Sequence, residues 1–208
     1  MLQIKAVEPG TFSLLKELMN IEELREFSLV GGTALALKYG HRKSEDLDLF
    51  NYKPFENNFI IEILEKKFGN DFSLQLNKEK FGVFGFIQAI KVDFVKHPHN
   101  LIGEIEVVDG IRMYSNEDIA AMKINAILGR GKKKDFWDVY ELLHHYSVDQ
   151  LIHFYHQKFP SQMLLISIPY AFTYFSEAEE TNAPVSLKGQ TWEKVKKFIQ
   201  KKVSDYLR

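Results

Sequence analysis

Asp46 and Asp48 stand two positions apart in the segment Asp-Leu-Asp-Leu-Phe that ends at Phe50. On a strand, successive side chains alternate between faces, so both carboxylates point the same way. At ~3.3 Å per residue they lie roughly 7 Å apart along the backbone, close enough to share a divalent metal. Upstream, Gly31 and Gly32 end a short apolar stretch, with thirteen residues between Gly32 and Asp46. A glycine pair that opens a helix lets backbone N–H groups approach an anion, and the helix dipole adds to the attraction. Thr33 supplies a hydroxyl, and Arg42 and Ser44 lie in the connection to the acids. Taken alone, an Asp-x-Asp pair is more often an exposed strand edge than a metal site.

The whole pattern, hydrophobic–Gly–Gly, a spacer, then Asp–hydrophobic–Asp–hydrophobic, resembles the signature of the polymerase β-like nucleotidyltransferase superfamily. The resemblance implies a reaction. A nucleoside triphosphate (NTP) is attacked at its α-phosphate by an acceptor hydroxyl, with Mg²⁺ (or Mn²⁺) held by Asp46 and Asp48. The superfamily's third acid lies on a later strand, and Asp93 in Lys91-Val-Asp-Phe-Val95 is the best candidate, as a metal ligand or as a base. Its ordinary alternative is a strand carboxylate paired with Lys91.

A second block narrows the family. Asp118-Ile-Ala-Ala-Met-Lys123 through Arg130, followed by Lys134-Asp135-Phe-Trp-Asp138, is similar to the downstream motif of the AbiEii/AbiGii toxin-like nucleotidyltransferases. Carried over by position, the resemblance puts Lys123 on the nucleotide phosphates and makes Asp138, with Asp135 beside it, an active-site acid. It groups Gly31, Gly32, Thr33, Arg42 and Ser44 at the nucleotide. Either Asp93 or Asp138 would serve as general base. Lys134 stands where the family has Arg, and a lysine cannot reproduce the bidentate grip of a guanidinium. Without the family match, Lys123 reads as a solvated helix lysine, and Asp138 as a partner of Lys134 one turn away. The resemblance further implies a tRNA or other RNA acceptor and a cognate antitoxin. A catalytically inactive nucleotide- or partner-binding module, and an enzyme that modifies a small molecule such as an antibiotic, are the competing readings.

The elements that must hold these residues follow from periodicity. Helices are predicted at Thr11–Met19, Gly32–Tyr39 and Asn58–Phe68, and strands at Phe27–Val30, Asp46–Asn51, Phe72–Leu76, Phe81–Gln88 and Ala89–Val95. Gly82 and Gly85, inside an aromatic run, signal bulges or close backbone approach. Asp109-Gly110 between Ile105–Val108 and Ile111–Tyr114 is a strong hairpin signal. From Ser115 onward the pattern is helical: to Leu128, Lys133–Tyr146, Val148–Phe159, around Leu164–Phe175, and Thr191–Leu207, with a polar loop at Glu177–Gly189. The expected fold is α+β, a polymerase β-like core of mixed sheet and flanking helices over residues 1–112. An all-α region, 113–208, follows and completes the active site.

Bulk properties set limits. The chain has 208 residues, 45% of them apolar, with no cysteine, so disulfides and cysteine-bound zinc are excluded. No apolar run approaches the ~18 residues that span a bilayer, and the N-terminus lacks a signal-like apolar region. A cytoplasmic location away from membranes is the expectation. Lys and Arg number 27 against 28 Asp and Glu, so net charge offers no case for nucleic acid. Two local basic spots, Arg130–Lys134 and Glu193–Arg208, are compatible with RNA but more often solvated faces.

Overall fold

The computed structural model of the chain describes residues 1–75 and 81–208. Helix α1 (Pro9–Met19) leads into β1 (Ser28–Leu29), α2 (Gly31–Tyr39), β2 (Leu47–Asn51) and α3 (Asn57–Phe68). A run of strands follows: β3 (Phe72–Leu74), β4 (Gly82–Ile87), β5 (Ile90–Lys96), β6 (Glu106–Val108) and β7 (Ile111–Met113). The remainder is helical, α4 (Asn116–Gly129), α5 (Lys133–Leu142), α6 (Val148–Lys158), α7 (Ile168–Thr173), α8 (Ser176–Glu179) and α9 (Trp192–Tyr206). The described strands form one mixed sheet in the order β3-β4-β5-β2-β1-β7-β6. Its centre carries the parallel pair β2–β5, flanked by antiparallel neighbours.

Alternation positions the site. In β2, Leu47 and Leu49 are buried in the core, whereas Asp48 lies on the opposite face and is only half-buried. Burying each leucine contributes roughly 1.5–3 kcal/mol, and a one-residue slip of register would turn both outward. The register therefore fixes where Asp48 points. Gly82 and Gly85 act by close approach: a Cβ on either would overlap a backbone oxygen of the neighbouring strand, Phe94 or Ser73. Asp109 and Gly110 both take positive φ, as a two-residue hairpin turn requires.

The predicted strand Phe72–Leu76 ends at Leu74, and Leu76 lies outside the described residues. Phe81–Gln88 and Ala89–Val95 are separate strands joined by a tight turn in which Gln88 (φ +52°) and Ala89 (φ +65°) are both left-handed. No Gly, Asn or Asp marks that turn, because the ladder between β4 and β5 holds it in place. The expected helix around Leu164–Phe175 shrinks to α7, since Pro169 fits only the first turn of a helix. Helix α8 takes up the start of the expected polar loop, and the change from sheet to helices falls after Met113.

The helical part is tied to the sheet by polar anchors as well as by apolar packing. Ser115 caps α4, accepting from the Asp118 backbone N–H. Asp118 in turn accepts from Ser115 Oγ, from the backbone N–H groups of Ile102 and Gly103, and from Lys158 Nζ at 2.6 Å. Lys38 on α2 reaches Glu106, Asn116 and the Tyr114 carbonyl. Val195, Ile199 and Val203 form the buried stripe of α9, and Trp192 stacks on Trp137 at 5.7 Å between ring centroids.

Candidate active site

Strands β2 and β5 run in register with Asp48 opposite Asp93, so the two carboxylates sit side by side on one face. Asp46 directly precedes β2 and is two-fifths exposed. The start of α2 lies against this face. Gly31 has φ +69°, and a Cβ there would stand 3.0 Å from Asp48 Oδ2. Glycine adopts this conformation at low cost and leaves the space open. The helix start, with its free N–H groups, thus abuts the carboxylate pair.

Positive charge is short at this face. Burial, and next the charge of Asp93 alongside, push the Asp48 carboxyl above its ordinary range, with Lys91 and Lys123 pulling the other way. Lys91 pairs with Asp93 Oδ2, and Lys134 reaches Asp46 Oδ2 at 3.5 Å. Asp93 Oδ1 is buried with no hydrogen-bond partner. A buried, unpartnered carboxylate oxygen beside a second acid is a fit for a hard divalent cation. Among the described residues no three His, Asp or Glu side chains converge as a closed metal cage. Asp48 and Asp93 would be the residues to hold such an ion, and Mg²⁺, which binds through one or two carboxylates together with substrate phosphates, suits them.

The other expected site residues form a buried layer next to Gly32. Thr33 is buried, its hydroxyl hydrogen-bonded to Ser44 Oγ at 2.8 Å and donating to the Asp46 carbonyl. It clamps the loop that carries Asp46, so the hydroxyl is already used. Arg42 does not face open solvent; its Nε and Nη2 donate to the two oxygens of Asp138 at 2.7 and 2.9 Å. Gly32 makes this route passable, because a Cβ there would overlap Arg42 Nη2. Lys123 Nζ lies between Asp138 (2.7 Å) and Asp135 (3.0 Å). Burial opposes its charge, yet the two acids hold its pKa above the ordinary lysine value. Asp135 Oδ2 also accepts from the Lys132 N–H at the start of α5.

Asp138, expected as an active-site acid, is enclosed by partners. It has no exposed surface, and Arg42, Lys123 and His41 (Nε2 at 2.7 Å) occupy both of its oxygens. Burial works against its charge, but Arg42 and Lys123 beside it and the hydrogen bonds from His41 and Arg42 hold it well below the usual carboxylate range. Such a group does not take up a proton near neutral pH. It fixes Arg42 and Lys123 in place. Its one-turn neighbour Lys134 points to Asp46 instead, so the pairing with Asp138 expected from helix spacing does not form.

Two contributors carried no sequence signal. His41 is fully buried against Asp138, with nothing in its neighbourhood to mark it beforehand. The stretch Asn182–Leu187 packs on the 41–46 loop as a short strap. The Lys43 N–H donates to the Val185 carbonyl at 2.8 Å, and the Leu187 N–H to the His41 carbonyl at 3.0 Å. Between strap and loop lies a cleft of about 370 Å³ lined by Ser44, Glu45, Asp46, Lys134, Asn182 and Pro184, among others. Asp46 therefore borders an open cleft, while Asp48, two residues on, does not line it.

Comparison with known proteins places this geometry. The chain is 31% identical over 200 residues to an uncharacterised protein of Aquifex aeolicus, with 93% of this chain and 94% of that one covered. Among solved structures, JHP933 from Helicobacter pylori superposes with a TM-score of 0.55 at 16% identity, covering 95% of this chain and 92% of that one. MenT4, a nucleotidyltransferase toxin from Mycobacterium tuberculosis, gives 0.55 at 14%, covering 95% and 86%. The antibiotic-resistance factor ANT(2'')-Ia gives 0.52 at 17%, covering 71% and 91%. These likenesses show a shared nucleotidyltransferase fold. Residues 13–174 match the model of the AbiEii nucleotidyl transferase toxins of type IV toxin–antitoxin systems. The chain, with its glycine pair set against two strand carboxylates, belongs to the AbiEii nucleotidyl transferase toxin family.

Proposed function

We propose that the chain transfers a nucleoside monophosphate from an NTP to an acceptor hydroxyl on RNA, with tRNA the leading acceptor, as the toxin of a pair that includes a cognate antitoxin. The observation that carries this reading is the register pair Asp48–Asp93 facing the glycine start of α2. Asp48 and Asp93 would hold Mg²⁺, or Mn²⁺ in its place, and Asp46 would join them once released from Lys134. When bound, the ion supplies charge neutralisation on the triphosphate. The N–H groups at Gly31 and Gly32 approach a phosphate without Cβ interference. Asp93 Oδ1, lacking a partner, would either bind the ion or instead serve as the base that takes the proton of the acceptor hydroxyl. The acceptor oxygen then bonds to the α-phosphorus, the α–β phosphoanhydride breaks, and pyrophosphate leaves with its electron pair. Thr33 and Ser44 hold the Asp46 loop, and the Arg42–Asp138–Lys123 layer holds the floor.

The test is label transfer from each α-³²P NTP to total RNA with Mg²⁺. The wild-type chain is expected to label RNA with at least one NTP, and Asp48→Asn to fall to background. Labelling by that variant at the wild-type rate would refute the assignment. A second reading, nucleotide binding without turnover, draws on the lysines that already neutralise Asp93 and Asp46. Calorimetry separates the two: NTP affinity indifferent to Mg²⁺, with no labelling of any acceptor, would favour the second.

A further inference from the structure

On the other side of Lys43 from the cleft at Asp46 lies a second, mostly apolar groove of about 600 Å³. Ile4, Val7, Pro9, Phe12 and Leu187 form its floor, and Lys5, Lys16 and Lys43 stand along it. The two cavities share Lys43 and nearby residues of the strap, Val185 in one and Leu187 in the other. Lys5 and Lys16 are exposed and lack an acidic partner among the described ion pairs; Lys16 lies over the Phe12 ring at 5.2 Å. Lys43 reaches Glu8 at 3.1 Å, a surface pair of little strength. With Lys134 at Asp46, the groove and cleft present four lysines along a line that ends at Asp46.

We propose that this groove is the track for the single-stranded acceptor end of an RNA, its bases against Ile4, Pro9 and Phe12 and its phosphates on Lys5, Lys16 and Lys43. Single-strand sites combine cationic rims with apolar or aromatic surfaces on which bases lie, and this groove has both. Lys43 lines both groove and cleft, and this adjacency favours a substrate strand, because the terminal hydroxyl must reach Asp46 while upstream nucleotides need a place to lie. Apart from Lys134, which stands on this path, the basic spots visible in the sequence serve less well. Lys133 is spent on the Glu179 and Thr181 carbonyls, and Lys196 pairs with Glu179 and Glu193. The proposal rests on the RNA-acceptor reading above but names its path.

The experiment measures binding of a fluorescein-labelled 12-nucleotide single-stranded RNA by anisotropy, without NTP, at several salt concentrations. Lys5→Gln/Lys16→Gln is expected to weaken binding at least fivefold and to flatten the log K against log[salt] slope by about 1.4, some 0.7 for each phosphate no longer neutralised. Phe12→Ala should weaken binding with the slope kept. Lys194→Gln/Lys197→Gln on α9 should change little. Unaltered affinity in the groove variants, or a weakening confined to the α9 variant, would overturn the proposal. So would lysine-dependent binding of an acidic amphipathic peptide with none of the RNA. RNA binding that follows the groove lysines without any label transfer would sink the enzymatic reading and leave the track standing; label transfer whose KM for RNA ignores these lysines would do the reverse.

Discussion

Asp48 and Asp93 face each other across adjacent strands, and two carboxylates at that spacing repel unless a cation offsets them. Lys91 offsets only one. The glycines beside them are equally constrained. At Gly31 a methyl group would meet Asp48 Oδ2, and the positive φ adds strain for any L-residue of roughly 1–2 kcal/mol. At Gly32 a methyl would strike the Arg42 guanidinium, which is already committed to Asp138 and has nowhere to move. Gly32→Ala is therefore expected to destabilise the fold by about 1–3 kcal/mol through overpacking, whereas alanine at Gly10, where no atom lies within 4 Å, should cost far less. Chemical denaturation of both variants checks this; equal midpoints would show that the Arg42 passage tolerates a side chain.

At the scale of elements, the loop that follows α2 meets α4 and α5 through one ionic layer in which Arg42 and Lys123 face Asp135 and Asp138. Each charge there has left water, so the layer holds only while it is complete. Asp138→Asn removes the charge that two cations share, and breaking a buried pair from one side costs about 3–5 kcal/mol. For a chain of this size that lowers the thermal midpoint by roughly 6–20 °C. Asp46→Asn, at an exposed pair with Lys134, should change stability by under about 1 kcal/mol while abolishing label transfer. Calorimetric melts of the two variants check the contrast. If Asp138→Asn melts like wild type, the layer does not bear on folding, and Asp138 returns as a candidate for direct chemistry.

Across the whole molecule, the sheet end that carries the acids and the opposite end of β5 differ in what they bury. Beyond β5, His97 packs against Phe50 and the edge of Phe159, the residue just after α6, joining sheet to helical region. Burial, then the charges of Lys158 and His99, lower its pKa to about 3 from an ordinary 6.5. The folded state thus disfavours the protonated ring, so stabilisation is complete above pH 6.5 and drains away as pH falls toward 3. Between pH 6.5 and 4 this group should cost about 1–3 kcal/mol. Urea melts of wild type and His97→Gln across that range are expected to converge as pH drops; parallel loss in both would assign the acid sensitivity to carboxylates alone. No helix among the described residues is long and apolar enough to cross a membrane.

What was legible in the sequence is what repeats locally. Alternation at Leu47–Phe50, the glycine pair, the Asp109-Gly110 turn and the Ser115 cap each follow from short-range stereochemistry, so strands, helices and the face of Asp48 could be read directly. The family match added the rest of the active-site roster, but spacing along one chain says nothing of what a side chain meets across space. Tertiary structure alone set Asp93 opposite Asp48 and spent Thr33, Arg42 and Asp138 on holding the site. It also recruited His41 and brought the distant strap of 182–187 to the rim of the cleft. Those outcomes hinge on which charges lose their water together, and desolvation is a property of the packed whole rather than of any segment.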